Sequence, residues 1–278
     1  MKLFVSSYIY FCYIIRKIFG TKLPGLGKVQ NLLKRDCVLS FMGKKLYYNN
    51  AIEGSYDLLF IGKSNEPETH EFFKDIVPNL DLVNFIDVGA SIGEMVFGIS
   101  TYKNVNRIFA FEPREECVKA LNKSVQLNNE SRIEIHDCIV SELEGYIDIF
   151  HNPGGTSSGI YGTNNAVSTK VRSAKLDSIL PVYLKNTILL IDVEGAEPSV
   201  MKSGLNFIKN NNPLIIFEYN STSKKHFCLD DVRNILGKDY DIYRLRGDGS
   251  LDIDFTNSWN CVAIPLNSQF SKFCKIIS

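Results

Sequence analysis

The stretch that decides the fold of this chain is Asn84-Phe85-Ile86-Asp87-Val88-Gly89-Ala90-Ser91-Ile92-Gly93. A short apolar run is followed by an acidic residue, by two glycines four positions apart, and then by a segment of helical character. A strand that ends in a glycine turn and leads into a helix is the nucleotide-binding corner of a doubly wound α/β sheet. Glycine permits a positive φ and the close approach of a ligand. We therefore predict a binding turn made by Asp87, Gly89, Ala90, Ser91 and Gly93.

The turn lacks the G-x-G-x-x-G pattern with which dehydrogenases hold a pyrophosphate at a helix N-terminus. Position 91 is serine, and Asp87 precedes the first glycine by two residues. This arrangement favours a ligand that has no phosphate and has a cationic amino-acid end, which Asp87 would meet. S-adenosylmethionine is such a ligand, so the turn predicts a methyltransferase, with a nicotinamide-dependent dehydrogenase as an alternative.

A second buried strand, Arg107–Phe111, ends in Glu112 and Pro113. Glu112 falls about 20 residues after the glycine turn, where doubly wound folds place the carboxylate that binds the ribose hydroxyls. A carboxylate only accepts hydrogen bonds, which suits a vicinal diol; the alternative is an acid at a helix start. After the third strand, we expect Asp137 to accept from the adenine amino group and Cys138 to lie against the ring.

A third apolar run, Ile188–Ile191, leads into Asp192-Val193-Glu194-Gly195-Ala196-Glu197. We expect these acids just past the carboxyl end of a strand, at the edge of the open sheet where ligands bind. Glu218 ends the run Leu214–Phe217 at the same edge. The sequence therefore predicts three carboxylates near one site.

These motifs together resemble the FkbM family of S-adenosylmethionine-dependent methyltransferases. The motifs are Asp87–Gly93, Phe111–Pro113, Leu176–Leu180 and Ile191–Glu197, in this order, and the resemblance covers roughly residues 65 to 265. Serine at position 91 replaces the asparagine that is usual in the family. The resemblance implies an O-methyltransferase that acts on hydroxyl groups of sugars, polyketides and other natural products.

Methyl transfer to a hydroxyl group needs an aligned donor and acceptor and a base that takes the hydroxyl proton. We predict Asp192 nearest to the reacting centre, then Glu194 and Glu218, with His151 as a further candidate. Converging carboxylates could instead hold Mg²⁺, which prefers oxygen ligands. The chain has no fixed metal-ligand spacing, so Mg²⁺ stays an alternative and no metal ligand is assigned.

Strands and helices alternate along the chain, which predicts a mostly parallel sheet. We assign a doubly wound, Rossmann-like class I methyltransferase sheet with an antiparallel C-terminal strand pair and an N-terminal extension. The predicted strands are 84–88, 107–111, 132–137, 145–150, 167–173, 187–192, 213–218, 240–245 and 260–264. The predicted helices are 68–77, 92–102, 114–128, 197–209 and 229–236. Glu197 is expected to be a helix-start charge, and Asp177 to cap the helix that follows it.

Residues 1–64 are predicted to form the N-terminal extension, and residues 65–278 the methyltransferase domain. Near the start, the uncharged stretch Leu3–Ile15 is too short to span a membrane, and no secretory cleavage site follows it. The aromatic residues and cations of residues 1–20 suit a membrane surface, or equally packing on the domain or on a second subunit. Apolar runs from Cys37 to Tyr48 predict a hairpin.

The amino-acid composition limits the classes of partner and the cellular compartment that we expect for this protein. Lys+Arg and Asp+Glu are both 31, so the formal net charge is +0, which gives no basic field for nucleic acid. The 7 scattered cysteines lack a C-x-x-C pair, which argues against zinc and against a disulfide framework and favours the cytoplasm, with the inner membrane face as an alternative.

The acceptor is expected to be a small molecule or a glycan hydroxyl, for example in bacterial surface polysaccharide synthesis. The polar, glycine-rich loop 151–162 is expected to contact it, or to be a surface connection. A catalytically silent methyltransferase fold that serves as a binding or scaffold protein is the alternative function.

Overall fold

The computed structural model describes residues 7–11, 13–14, 36–49, 52, 56–151, 158–159 and 167–277. Most of the N-terminal segment 1–20 and of the loop 151–162 lies outside these residues, as does the side chain of His151. Residues 7–11 and 13–14 are helical, and Ile9 belongs to the apolar core. The Lys63 ammonium lies 4.3 Å from the centre of the Tyr13 ring. The described part of the N-terminal segment therefore packs on the rest of the chain.

The described strands agree closely with the predicted ones. They are β1 Cys37–Phe41, β2 Lys44–Tyr48, β3 Val83–Val88, β4 Val105–Phe111, β5 Ile133–His136, β6 Ile139–Val140, β7 Gly145–His151, β8 Ser158–Gly159, β9 Val167–Ala174, β10 Thr187–Ile191, β11 Leu214–Glu218, β12 Tyr240–Leu245, β13 Leu251–Asp252 and β14 Asn260–Pro265. The α-helices are α1 Pro67–Ile76, α2 Glu94–Ile99, α3 Glu115–Asn128, α4 Leu176–Ile179, α5 Glu197–Ser203, α6 Leu205–Asn211 and α7 Leu229–Leu236.

Eight strands form the central sheet in the order β13-β12-β14-β11-β10-β3-β4-β5. The strands from β11 to β5 run parallel, and β14 pairs antiparallel with both β11 and β12. This confirms the predicted α/β class with an antiparallel strand pair at the C-terminal end. The two-residue strand β13 extends that edge, and it is too short to give a periodic signal in the sequence.

The central strand β3 is buried on both faces, and its alternating side chains divide between two apolar layers. Phe85 packs in one layer with Phe73 of α1, at 5.7 Å between ring centres. Ile86 and Val88 pack in the other layer, which contains residues of α5, α6 and α7. Helices therefore cover both faces of the sheet, which leaves the ends of its strands as the place for a site.

Two smaller sheets lie beside the central one. Strands β6, β9, β7 and β8 form a four-stranded sheet. The predicted hairpin is present as β1 and β2, and it is bonded to α3 through Tyr47 N–H to Ser124 Oγ at 2.8 Å and Lys45 N–H to Asn128 Oδ1 at 2.9 Å.

The helix predicted over residues 197–209 is in fact two helices, α5 and α6, separated by Gly204. A Cβ on Gly204 would lie 3.0 Å from side-chain atoms of Leu176. Asp177 was predicted to cap the helix that follows it, but it lies inside that helix, α4. Its carboxylate instead caps α6, where it accepts from Asn206 N–H at 3.1 Å and from Phe207 N–H at 2.8 Å. The contact joins segments about 30 residues apart, so local sequence could not reveal it.

Candidate active site

A cavity of about 270 Å³ lies at the carboxyl ends of β3, β4 and β10. β3 pairs with β4 on one side and with β10 on the other, so the order of the strands reverses at this point. Ligands of doubly wound sheets bind at such a switch point. The predicted site residues that line the cavity are Gly89, Ala90, Ser91, Glu112, Cys138, Asp192 and Glu194.

The other four predicted site residues lie outside the cavity lining. Asp87 is buried within β3, and Gly93 is the N-cap of α2. Asp137 is exposed at the surface, and Glu218 is buried at the end of β11. Their roles remain predictions.

The glycine turn between β3 and α2 is held against the end of β4. The N–H groups of Gly89 and Ala90 both donate to the Phe111 carbonyl, each at 3.0 Å. Gly89 has a φ of +94° and Gly93 a φ of +91°, which residues with a Cβ rarely adopt. A Cβ on Gly93 would also lie 2.7 Å from a methyl group of Leu121, so the packing of α3 favours glycine there.

Glu112 joins the glycine turn to the start of the segment that follows β4. Its Oε2 accepts from Ser91 N–H at 2.8 Å, and its Oε1 accepts from the main-chain N–H and the Nε of Arg114 at 2.9 and 3.1 Å. The Arg114 guanidinium also donates to Ser91 Oγ and to the Tyr56 hydroxyl. Each carboxylate oxygen has two lone pairs, so Oε1 is fully used and Oε2 keeps the remaining acceptor capacity toward the diol of a ligand.

The turn after β10 brings Asp192 and Glu194 to the cavity. Asp192 N–H donates to the Val88 carbonyl at 2.9 Å, which fastens this turn to the end of β3. Glu194 has a left-handed φ of +56°, which is uncommon for a residue with a Cβ. The two candidate bases thus sit on a turn with a fixed and unusual backbone.

The Glu197 side chain stabilises this turn through hydrogen bonds to its backbone, a role that the sequence did not predict. Glu197 is the first residue of α5, as expected, but it is fully buried. Its Oε1 accepts from the N–H groups of Val193 and Gly195, both at 3.2 Å. A Cβ on Gly195 would lie 2.5 Å from the His226 ring. The burial of Glu197 follows from the tertiary fold, and nothing in the local sequence signals it.

The carboxyl groups around the β10 turn have raised pKa values because they are buried close together. Burial, followed by the charges of Glu218 and Glu66, raises the pKa of Asp192 well above its ordinary range. Burial and the charges of Glu194 and Glu197 raise the pKa of Glu218 to about 8. Glu218 is anchored by hydrogen bonds from Asn220 and Ser223. A carboxyl group that titrates near neutral pH suits general base catalysis.

Residues 56–66 supply a wall of the cavity that sequence reasoning also missed, through Tyr56, Asn65 and Glu66. Asn65 is fixed by Glu94, whose two oxygens accept from its N–H and Nδ2 groups, both at 2.8 Å. Pro67 occupies the first turn of α1, and proline there is a recognisable helix-start signal. The sequence could place Glu66 at the helix start, but only the fold shows that it reaches the cavity.

The charge of the cavity wall distinguishes between ligand classes. Among the described residues that line it, one is a guanidinium, Arg114, and its charge is matched by Glu112. The other charged lining residues are carboxylates: Glu66, Glu94, Asp192 and Glu194. A wall whose ionisable groups are mainly carboxyl groups disfavours phosphate groups and suits a cationic ligand. The sulfonium and ammonium groups of S-adenosylmethionine therefore fit this site.

The model of the methyltransferase FkbM domain matches residues 87–244, which is more than half of the chain. The chain belongs to the FkbM methyltransferase family. The FkbM match begins at Asp87 and includes the turns after β3, β4 and β10 that form the cavity. Family membership and the doubly wound sheet together support S-adenosylmethionine as the cofactor. The wall made by residues 56–66 lies before the matched range.

Solved structures with a similar fold include the methyltransferase FkbM from Methylobacillus flagellatus KT, at 17% identity and a TM-score of 0.46. That match covers 74% of this chain and 52% of that one, so this chain spans about half of that relative. TYW2 from M. jannaschii in complex with AdoMet shows 11% identity, 83% and 85% coverage and a TM-score of 0.45. An rRNA methylase from Streptococcus thermophilus shows 9% identity, 71% and 93% coverage and a TM-score of 0.40. No curated protein matches the chain.

Two further findings concern membranes and metals. Within the described residues, none of the helices is long and apolar enough to cross a membrane. In the same part of the chain, no cluster of three or more His, Cys, Asp or Glu side chains could hold a metal ion.

Proposed function

We propose that this protein is an S-adenosylmethionine-dependent O-methyltransferase that methylates a hydroxyl group of a sugar, a glycan or another small molecule. The observation that carries the proposal is the contact between the glycine turn and the Asp192 turn at the switch point of the sheet. The two turns line one cavity, which supports a cofactor bound at the glycine turn beside the half-buried carboxylates of Asp192 and Glu194.

The cofactor supplies a methyl group on a positively charged sulfur, which a nucleophile can accept. Gly89 and Ala90 present backbone to this ligand, and Glu112 accepts from the ribose hydroxyls. Cys138 lies on the cavity wall two residues after β5 and provides an apolar surface for the adenine ring. The negative wall favours the charged methyl donor over a ligand with phosphates.

Asp192 is the residue that we assign to the acceptor proton. It lines the cavity, its backbone is fastened to β3, and burial raises its pKa. A raised pKa makes the ionised Asp192 carboxylate a stronger base toward the acceptor proton. Glu194, on the same turn, orients the acceptor hydroxyl. Glu218 acts through its charge on Asp192, because it lies outside the cavity lining.

The acceptor class follows from the family resemblance and from the balanced charge of the chain. A formal net charge of +0 offers little long-range attraction for RNA or DNA. We therefore propose a small or glycan-linked hydroxyl acceptor handled at the cytoplasmic side of a bacterial cell. Although Ile9 packs in the core, the exposed side chains of Tyr10 and Phe11 leave a peripheral membrane contact open to residues 1–20. Methyl transfer from labelled S-adenosylmethionine, measured with and without Mg²⁺, would distinguish these acceptors. The compounds to be tested are monosaccharides, sugar nucleotides, lipid-linked glycans and RNA.

The cofactor is tested by calorimetric titration with S-adenosylhomocysteine. Glu112→Gln should weaken binding by about 1.5–3 kcal/mol, the cost of a lost charged hydrogen bond. Glu134→Gln is a matched control, because Glu134 is half exposed on the neighbouring strand and pairs with Arg107. A wild-type protein that does not bind S-adenosylhomocysteine would favour the scaffold alternative, and binding of NAD instead would favour a dehydrogenase.

A further inference from the structure

Glu66 is a carboxylate on the cavity wall that the assigned roles above do not use. It is the N-cap residue of α1 and lies in the segment that precedes the FkbM match. Its Oε2 accepts from Asn260 Nδ2 at 2.8 Å and from Thr69 Oγ1 at 3.3 Å. Asn260 and Thr69 are themselves buried and bonded to each other at 3.1 Å. Strand β14 and helix α1 therefore hold the Glu66 side chain in one position.

Both of these hydrogen bonds end on the same oxygen of Glu66. Within the described residues, Oε1 accepts no hydrogen bond. Glu66 lines the cavity, so the cavity is the space that a partner of Oε1 could fill.

The surroundings of Glu66 indicate the charge of that partner. The neighbouring charges that act on the side chain are those of Glu94 and Glu68, both negative, and burial with these charges raises the Glu66 pKa to about 7. A positive group that entered the cavity would relieve both the desolvation and the repulsion.

Two other carboxylates of the wall, Glu94 and Glu112, are already engaged. Both oxygens of Glu94 accept from Asn65, and Glu112 is paired with Arg114. Asp192 lies on the β10 turn beside the proposed reacting centre. Asp87, which we expected to meet the amino-acid end of the ligand, lies outside the cavity lining.

We infer that Glu66 binds the α-ammonium group of S-adenosylmethionine through its free Oε1 atom. The inference rests on the proposed function, because it assumes that this cofactor occupies the cavity. Asn260 and Thr69 then act as positioning residues that fix the carboxylate for the ammonium group. The amino-acid end of the cofactor is thus recognised by a segment outside the glycine turn.

The test compares two ligands by calorimetry at pH 8, where the Glu66 carboxyl is ionised. S-adenosylhomocysteine has the ammonium group, and 5′-methylthioadenosine lacks the whole amino-acid part. Glu66→Gln should weaken S-adenosylhomocysteine binding about 10- to 100-fold, as expected for a charged hydrogen bond. The affinity for 5′-methylthioadenosine should stay within about twofold, because glutamine can still accept from Asn260 and Thr69.

Glu71→Gln is the matched control, since Glu71 lies on the same helix, outside the cavity lining, and has a half-exposed side chain paired with Lys74. It should leave both affinities unchanged. An equal loss for both ligands in Glu66→Gln would mean that Glu66 only shapes the wall, and no loss for either would also overturn the inference. Failure of the wild-type protein to bind S-adenosylhomocysteine would instead overturn the proposed function itself.

Discussion

The α-carbon of Gly89 lies directly against the main-chain carbonyl of Asp192. A Cβ at position 89 would be 1.9 Å from that oxygen, far inside any permitted contact. The first glycine of the turn is therefore required by the neighbouring strand end as well as by its own φ of +94°. The cofactor turn and the turn of the candidate base are packed as one unit.

Gly89→Ala should destabilise the protein by about 2–5 kcal/mol, from the left-handed backbone and the overpacking combined. Gly43→Ala is the matched control, because Gly43 has a φ of +77° but a Cβ there would have no atom within 4 Å. It should cost only about 1–2 kcal/mol. Urea unfolding measures the loss of stability of both variants. Equal losses would show that the contact with Asp192 adds nothing to the cost of Gly89→Ala.

Asp192→Asn should lower kcat about 10²- to 10⁴-fold, since a general base contributes on that scale, while S-adenosylhomocysteine affinity changes little. Steady-state kinetics with an identified acceptor measure the loss of kcat, and calorimetry on the same protein measures the affinity for S-adenosylhomocysteine. Glu218→Gln is the comparison, because that carboxyl lies outside the cavity lining. A larger kcat loss in Glu218→Gln than in Asp192→Asn would reverse the assignment.

The free energy of unfolding should fall as the pH rises from about 5 to about 8. Burial raises the pKa values of Glu66 and Glu197 from 4.5 to about 7, and that of Glu218 to about 8. In this window the folded state holds protons that the unfolded state releases, so rising pH favours unfolding. The lowered pKa of Glu130, about 2, acts only below pH 4.5.

Glu197→Gln isolates one contribution to this pH dependence. Glutamine can still accept from Val193 and Gly195 through its Oε1, but it does not ionise. Urea unfolding between pH 5 and pH 8 should therefore show a shallower slope for the variant than for the wild type. An unchanged slope would mean that Glu197 ionises as freely in the folded protein as in the unfolded chain.

Asp177→Ala should cost about 0.5–2 kcal/mol of stability, the usual effect of losing a helix cap. The reason is that Asp177 accepts from two N–H groups at the start of α6. Circular dichroism during urea unfolding measures the loss, with Asp148→Ala, at an exposed position of β7, as the control. A loss no larger than that of Asp148→Ala would contradict the capping role.

Much of the fold could be predicted because strong local signals agreed with it. The buried run that became β3 is followed directly by Gly89, which has a positive φ, and glycine at this position indicates such a turn. The run that became β10 leads into a turn in which Glu194 and Gly195 have positive φ. Ser91 also has a left-handed φ of +51°, a conformation that asparagine tolerates well. This gives a physical reason for asparagine at that position in the family, and the hydrogen bond that Arg114 donates to Ser91 Oγ supports serine here.

The site residues that sequence reasoning missed depend on contacts between distant segments. Glu66 reaches the cavity because Asn260, 194 positions later, holds its carboxylate. Glu197 is buried because the β10 turn folds back over it. Such burial is decided by how helices dock on the sheet, and a single sequence carries no local pattern for it.

The docking of the β1–β2 hairpin on α3 has a practical consequence for shortening the chain. Leu39, Leu46 and Tyr48 of the hairpin share one apolar core with Phe97 of α2 and other residues of the catalytic region. A protein cut at residue 65 would lose this cover and the Tyr56 hydroxyl, and would expose apolar surface beside the glycine turn. A recombinant fragment that starts before Asp36 keeps both, so we expect it to be more stable than a fragment cut at residue 65.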